Sequence, residues 1–418
     1  MLIRNARTLQ RPEGCDLAIV DGVIAAVTDA GTAPIGGGDF GMGDVGVDEV
    51  DVGGKVVLPA TVDAHVHLDK AYLMSHADLV GAIDPTLPAA IASVAALRPL
   101  VTAQEVADNA RRALDALTRS GTTAARAQVE IDPAIGMDMV ALHQQVADEA
   151  RDRIDVQLVA FPQCGLGSVA MRAALSDAMR AGADVVGGCP YVDEDPAAHL
   201  DFVFSLAERH GTPVDLHLDF ADEPAASLIG LVAARTRAHG MAGAVSIGHV
   251  TTLAAMSPDD QQRAFDLLAS LDIALIALPV TDMFLAGHGE PGHRSVAPVD
   301  RAVRSGVRVA IGNNNIGNPF APFGNANLLQ AAWLTGIVRR LGSAADRALL
   351  LAAVTSGPAS ILGLTPHGTS VGERADLVVL DCDDVSTAVL QAPVALATVH
   401  GGGIVHTVSN PFRQPATT

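Results

Sequence analysis

Residues 56–67 read VVLPATVDAHVH, an almost unbroken apolar run that ends in two histidines two positions apart. Such a run is typical of a parallel strand that is buried on both faces. Further runs of this kind follow along the chain, at residues 122–130, 154–161, 183–188, 213–218, 244–249, 272–280 and 307–313. The stretches between them, such as AQEVADNARRALDALTRSG, have helical apolar spacing and stop at glycine. The eight strand–helix repeats predict an α/β fold and favour a closed (β/α)₈ TIM barrel over an open doubly wound sheet.

Both ends of the chain show a shorter, alternating pattern that is typical of antiparallel strands. LAIVDGVIAAV, residues 17–27, has a turn signal at Asp21-Gly22. ADLVVLDCDD, residues 375–384, and ALATVHGGGIVHTVS, residues 395–409, have the same character. We therefore expect a small β-sandwich domain formed by both chain ends, residues 1–55 and 363–418, with the barrel inserted between them as residues 56–362.

Charge and cysteine usage exclude several classes of protein. The 418-residue chain has a formal net charge of −20, which argues against a nucleic-acid partner and against an anionic membrane surface. Its four cysteines lack CxxC spacing, so we expect free thiols in a reducing compartment. The N-terminal segment MLIRNARTLQRPEG lacks the apolar stretch of a signal peptide, and no window approaches the ~18 apolar residues of a membrane span. These features predict a cytoplasmic protein.

Polar residues gather at the carboxyl ends of the predicted strands, which meet at one mouth of a barrel. His65 and His67 end the first strand and point to the same face, because side chains two apart share a face. His217 ends the fifth strand and His249 the sixth. An HxH pair alone is often only a hydrogen-bonded pair, but three imidazoles from two strands form a ligand set suited to Zn²⁺ or Fe²⁺. His249 is a candidate catalytic acid or base.

At these residues the sequence resembles the amidohydrolase superfamily, and within it the cytosine deaminase-like branch. The resemblance covers nearly the whole chain and rests on KVVLPATVDAHVHLDKAY (55–72), DVQLVAFPQCG (155–165), VDLHLDF (214–220), SIGHVTT (246–252), VAIGNNNIGNPFAPFGNANLLQ (309–330) and GERADLVVLD (372–381). It implies a metal held by His65, His67 and His217, a further active-site histidine at His249, and substrate binding by Gln163.

The sequence also resembles one particular member of that superfamily. The HVHLDK form is similar to that of N-isopropylammelide isopropylaminohydrolase, which removes an alkylamine from a triazine ring. Lys70 is therefore a candidate for binding substrate and for stabilising an oxyanion, although a solvated lysine in the loop is an equally good interpretation.

The chain departs from the family pattern at the end of the eighth strand. Asn314 stands in the place of the family's aspartate, and Asn315 follows it. An amide oxygen can serve as a neutral fourth ligand, but an amide cannot accept a proton. We therefore place Asn314 in both the metal set and the catalytic set, and Asn315 and Phe320 with the substrate. The candidates for the missing base are Asp63, Asp69, Glu130, Asp219 and His249.

Together these features predict an amidohydrolase-like enzyme that hydrolyses a C–N bond of a small cyclic amide, amidine or aminated heterocycle. One divalent transition metal, Zn or Fe, would assist it. Two alternatives follow from Asn314: a metal-poor or metal-free barrel with lyase or proton-transfer chemistry, and a pseudoenzyme that only binds a ligand. The expected partner is a small-molecule substrate, and the resemblance also implies a homo-oligomer.

Overall fold

The computed structural model describes residues 1–32, 49–79, 81, 84–133, 138–287 and 294–408. The strands among these residues are β1 Leu2–Ala6, β2 Cys15–Val20, β3 Val23–Asp29, β4 Glu49–Asp51, β5 Val56–Pro59, β6 Thr61–His67, β7 Thr122–Glu130, β8 Asp155–Phe161, β9 Val185–Gly188, β10 Val214–Leu218, β11 Val245–His249, β12 Ala274–Ala277, β13 Val309–Ile311, β14 Leu377–Leu380, β15 Ala395–His400 and β16 Gly403–Thr407.

The α-helices of the same residues are α1 Leu87–Leu97, α2 Ala103–Arg119, α3 Asp138–Ala150, α4 Val169–Arg180, α5 Pro196–His210, α6 Ile229–Ala238, α7 Thr252–Ala255, α8 Pro258–Ser270, α9 Pro279–Leu285, α10 Val299–Arg304, α11 Leu328–Arg339, α12 Ala344–Ala352, α13 Ser356–Leu362 and α14 Thr387–Gln391. Short 3₁₀ helices lie at Leu73–Leu79, Arg98–Leu100, Pro190–Val192 and Pro224–Ala226.

Strands β6 to β13 form one eight-stranded parallel sheet in which neighbours in sequence are neighbours in space. The sheet closes at its carboxyl-end rim, where a parallel bridge joins Val66 to Asn314. The backbone N–H of His67 donates to the Asn314 carbonyl at 2.6 Å, and the Asn314 N–H donates to the His65 carbonyl at 2.9 Å. The predicted (β/α)₈ TIM barrel is therefore confirmed, and its closing bridge lies among the residues predicted for the site.

Local sequence explains why the repeats fold in this way. Every residue of β7 is buried, as expected for a strand packed on both faces. The predicted helix after β6 forms as α2, which the Thr102 side chain caps by accepting from the Glu105 N–H. Helix α2 turns Ala110, Leu114 and Leu117 toward the barrel, and its charged residues point outward.

The run that opened the sequence does not form a single strand. Val56–Pro59 pairs antiparallel with β14, and Thr61–His67 pairs with β7 in the barrel. Pro59 has no N–H to offer a ladder, so the pairing can change partners at this point. The Ala60 N–H then donates to the Asp376 carbonyl, which ties the entry of the barrel to the C-terminal strands.

Two four-stranded sheets, in the orders β3-β2-β1-β4 and β16-β15-β14-β5, form the small domain. Apolar residues of both sheets share one core, which includes Ile3, Leu17, Ile24, Leu377 and Val399. The predicted sandwich from both chain ends is thus confirmed. Within the described ranges, no helix has the length and apolar character needed to cross a membrane. The cytoplasmic location stays a prediction.

Candidate active site

Four buried imidazoles meet at the carboxyl ends of three strands. His65 and His67 lie on β6, His217 on β10 and His249 at the end of β11. The Nε2 atom of His217 lies 3.2 Å from Nε2 of His65 and 3.1 Å from Nε2 of His67. His249 completes the group, since ligand atoms of His65, His217 and His249 lie within 4.8 Å of one another.

These spacings suit a shared cation better than a set of hydrogen bonds. Burial, and then the charge of Lys70, lowers the pKa of His67 to about 3, and burial lowers the pKa of His217 well below its usual value. Both rings are therefore neutral at pH 7, and a hydrogen on Nε2 of His217 can serve only one of its two neighbours. In a tetrahedral zinc site with Zn–N of about 2.05 Å, two nitrogens lie about 3.3 Å apart. The two distances from Nε2 of His217, to His65 and to His67, fit such a donor set.

Polar and aromatic neighbours hold these rings in place. His65 Nδ1 lies 3.5 Å from Asp215 Oδ1, and Gln128 Nε2 donates to the same oxygen at 3.1 Å. Burial opposes ionisation of Asp215, but the His65 hydrogen bond and the Arg126 charge lower its pKa to about 2. The His217 ring stacks on Phe161 with centroids 3.9 Å apart. Asp215 was absent from the sequence prediction, although its position two residues before His217 puts both on one face of β10.

Left-handed backbone conformations occur at or shortly after the carboxyl ends of three strands, β10, β11 and β13. Asp219, His249 and Asn314 have φ values of 51°, 69° and 59°. A non-glycine residue in this region costs on the order of 1–3 kcal/mol and persists only where its surroundings enforce it. The turns end the strands at the rim, where His249 and Asn314 both line the pocket.

Three consecutive asparagines follow β13, next to β6 at the bridge that closes the barrel. The Asn314 side-chain oxygen is buried and finds no hydrogen-bond partner among the described residues. Asn313 Nδ2 donates to Asp63 at 2.7 Å, and Asn318 Nδ2 donates to the Asn315 oxygen at 2.7 Å. An unpartnered buried carbonyl at the pocket wall fits a neutral metal ligand, because burial without a partner is costly.

His249 has a partner that the sequence prediction missed. Its Nδ1 lies 2.6 Å from Asp282 Oδ1, and both side chains are buried. Burial raises the pKa of Asp282, and the Leu278 N–H donates to its other oxygen at 3.2 Å. The only available signal was an acidic residue in the first turn of α9, just beyond β12.

Lys70 is fully enclosed, which excludes the solvated-loop interpretation. Its Nζ lies 3.0 Å from Gln163 Oε1 and 3.1 Å from Glu130 Oε2, and it is 1% exposed. The ammonium also lies 5.5 Å from the centre of the Phe320 ring. Arg98 reaches the same Glu130 oxygen at 2.5 Å.

A small pocket opens above the histidines. Its wall contains His67, Lys70, Leu87, Gln163, Tyr191, His217, Phe220, His249, Thr281, Asn314, Asn315 and Phe320. The structure thus brings together every residue named for the site from the sequence, with His65 beneath the cavity floor and in contact with His217. Leu87, Tyr191 and Thr281 were not foreseen, because ordinary loop and helix residues carry no motif.

The four carboxylates proposed as alternative bases have other partners and are absent from the described residues of the pocket wall. Asp63 accepts from the side chain and N–H of Asn313, and Asp69 accepts from the Glu130 N–H. Glu130 bridges Lys70 and an arginine. Asp219 accepts from the Leu228 N–H at 2.8 Å. Among the candidate bases named from the sequence, His249 is the one that lines the pocket.

Comparison with known protein families identifies the family of this chain. Residues 82–406 match the sequence profile described as "Amidohydrolase family". The chain belongs to the amidohydrolase family. This confirms the predicted superfamily, and with it the enzyme class of a hydrolase acting on carbon–nitrogen bonds other than peptide bonds.

Individual amidohydrolases match over most of their length. A pterin deaminase of Rhizobium rhizogenes is 27% identical over 87% of this chain and 81% of its own. An N-isopropylammelide isopropyl amidohydrolase of Pseudomonas sp. is 25% identical over 97% of this chain and 96% of its own length. The crystal structure of 5-methylcytosine deaminase from Klebsiella pneumoniae, liganded with phosphonocytosine, superposes with a TM-score of 0.88 at 26% identity, over 99% of this chain and 100% of that one. This agrees with the predicted cytosine deaminase-like branch.

Proposed function

We propose that this amidohydrolase removes an amino or alkylamino group from an aminated heterocycle by metal-assisted hydrolysis. The observation that carries the proposal is the close approach of Nε2 of His65 and Nε2 of His67 to Nε2 of His217, at a pocket whose wall also contains Asn314 with its unpartnered side-chain oxygen. The similar proteins named above are a pterin deaminase, a 5-methylcytosine deaminase and an isopropylammelide amidohydrolase. These names share a flat nitrogen heterocycle with an exocyclic nitrogen.

Four residues would hold the metal: His65, His67, His217 and, through its side-chain oxygen, Asn314. A divalent transition metal bound there lowers the pKa of a bound water and polarises the bond under attack. The donors are neutral, so the site retains the full charge of the cation. A neutral donor set is also weaker than one that includes a carboxylate, because opposite charges attract strongly inside a protein.

His249 and Asp282 handle the proton in this proposal. Nε2 of His249 faces the pocket and takes the proton of the attacking water, and Nδ1 shares its hydrogen with Asp282 at 2.6 Å. The Asp282 carboxylate fixes the tautomer and stabilises the imidazolium that forms. The same proton then passes to the leaving nitrogen as the C–N bond breaks, so the products are the hydroxylated ring and the free amine.

Lys70, Gln163, Asn315 and Phe320 would bind the ring. The Lys70 ammonium is held at 3.0 Å from Gln163, so the two side chains present a fixed pair to a ring carbonyl and its neighbouring nitrogen. Phe320 supplies an apolar wall. Because this lysine is already positioned and dehydrated, its charge acts on a developing oxyanion without rearrangement.

Metal removal tests the proposal. Protein stripped with a chelator should lose hydrolysis of cytosine, 5-methylcytosine, pterin or N-isopropylammelide, followed as released amine, and Zn²⁺ or Fe²⁺ should restore it. His217→Gln should abolish both metal binding and turnover. His239→Gln is the matched control, since His239 pairs with Glu208 between α5 and α6, away from the pocket.

Two results would contradict the proposal. Turnover that survives chelation would favour the metal-free chemistry. Metal-loaded protein that binds a heterocycle of the panel but hydrolyses none would favour a pseudoenzyme.

A further inference from the structure

A second cavity, of about 570 Å³ and open to solvent, lies beside the catalytic pocket. The two spaces share Gln163 and Phe320 as a common boundary. The second cavity is lined mainly by apolar side chains, among them Leu73, Ile91, Val94, Val101, Val106 and Met139. Its charged residues are engaged near the boundary, where Arg98 pairs with Glu130 at 2.5 Å. The remaining wall therefore offers contact surface for an uncharged group.

Helix α1 forms one wall of this cavity and has an unusual composition. Its sequence, LPAAIASVAAL, contains no charged residue. Ala90, Val94 and Leu97 are buried, and Ile91 and Ala95 still line the open cavity. A helix that is apolar around most of its circumference is normally covered on more than one side. Ile91 packs partly against the apolar cluster that includes Leu73 and Phe320, and together with Ala95 it also borders the cavity.

We propose that the second cavity is a subsite for an apolar, uncharged substituent on the heterocycle that the catalytic pocket binds. The inference rests on the proposed function for the position of the ring. It adds the chemical class of the substrate: a ring that carries an aliphatic or aryl group of several carbon atoms. That group would pass between Gln163 and Phe320 and bury its surface against α1 and Met139.

The test uses a neutral apolar dye and a matched pair of variants on α1. N-phenyl-1-naphthylamine, which fluoresces in apolar sites, should bind the native holoenzyme at one saturable site. Ala95→Trp fills the cavity and should abolish this binding. Ala96→Trp places the same side chain on the next residue, which is exposed and outside the cavity wall, and should leave binding unchanged.

A second measurement asks whether a bound ring reaches this subsite. Uracils with methyl, propyl or hexyl groups at C5 or C6 lack an amino group and cannot be turned over. In the series with the correct ring position, each added methylene should lower the concentration that displaces the dye by about two- to fourfold, as burial of a CH₂ implies. Ala95→Trp should abolish the dependence of uracil affinity on chain length.

Three outcomes would overturn the inference: no saturable dye binding, equal behaviour of the two tryptophan variants, or displacement that is independent of chain length in both series. The proposed reaction fails separately. If the dye and uracil results hold and metal-loaded protein still hydrolyses no aminated ring, the subsite stands and the reaction is wrong.

Discussion

The strand ends at the pocket mouth carry two different kinds of polar group. On the side of β6, β10 and β11, imidazoles lie close to carboxylates, in the pairs His65–Asp215 at 3.5 Å, His67–Asp69 at 3.6 Å and His249–Asp282 at 2.6 Å. On the side of β13, Asn313, Asn314 and Asn315 present amides. Amides can coordinate and hydrogen-bond, but they do not titrate. Of these two sets, therefore, only the imidazoles and carboxylates of the histidine side can accept a proton, and the amide side cannot.

The largest effect on activity is expected from Asp282→Asn, which changes the hydrogen-bond partner of His249 on the histidine side. Asp282→Asn keeps an oxygen for the His249 hydrogen bond and removes the charge that stabilises the imidazolium. We expect kcat to fall about 10²- to 10³-fold with little change in KM, as loss of a positioned proton acceptor implies. Steady-state kinetics across a pH series would measure it.

Asp219→Asn is the matched control for that prediction. Asp219 is also a buried carboxylate at a strand end, but it accepts from the Leu228 N–H and from Thr252 instead of a pocket histidine. Asp219→Asn should therefore lower kcat by less than tenfold. A larger loss than that of Asp282→Asn would make Asp219 the base and reverse the assignment.

The next prediction concerns metal affinity and the amide side, which consists of Asn313, Asn314 and Asn315. Asn314→Asp places a carboxylate beside the neutral histidines and should tighten Zn²⁺ binding by about 10- to 100-fold, since charge attracts the cation. Competition with a chromophoric chelator measures the change. Asn325→Asp adds the same charge at an exposed position of the same segment and should have no effect. Equal affinities for the two variants would show that Asn314 does not face the metal.

The smallest effect concerns Asp63, the carboxylate beneath the amide side. Burial raises its pKa to about 7. A carboxyl group with a raised folded-state pKa stabilises the fold while protonated, and this contribution is lost as pH rises through that value. In metal-free protein, the free energy of unfolding of the native chain should therefore fall as pH rises from 5 to 7. Its slope should be steeper than that of Asp63→Asn by about 1 kcal/mol per pH unit.

Denaturant unfolding across that pH range checks the Asp63 prediction. Asp21→Asn is the control, since Asp21 lies in an exposed turn and its left-handed φ of 49° suits asparagine. Parallel curves for the native chain and Asp63→Asn would mean that Asp63 is ionised throughout and that Asn313 pairs with a carboxylate.

Much of the site was predictable because its signals are local. His65 and His67 share a face through the two-residue period of a strand, and strand ends meet at one rim of a barrel. Asn314 was visible as a departure because it stands within a recognisable segment. The run at residues 56–67 was predicted as a single strand, although the structure divides it into two. Apolarity alone cannot show that the chain passes from the sandwich to the barrel after Pro59.

The sequence by itself determined the barrel, the sandwich from both chain ends, the histidines and the asparagines that face them, because strand period and burial depend on nearby residues. Only the tertiary structure decided which groups pair across the mouth. Asp282 reaches His249 over 33 positions and Lys70 reaches Gln163 over 93, and those contacts depend on strand register and loop path. The second cavity is likewise a property of how α1 packs over the rim. No local pattern encodes such distances, so the proposed proton path and the proposed apolar subsite both rest on the folded chain.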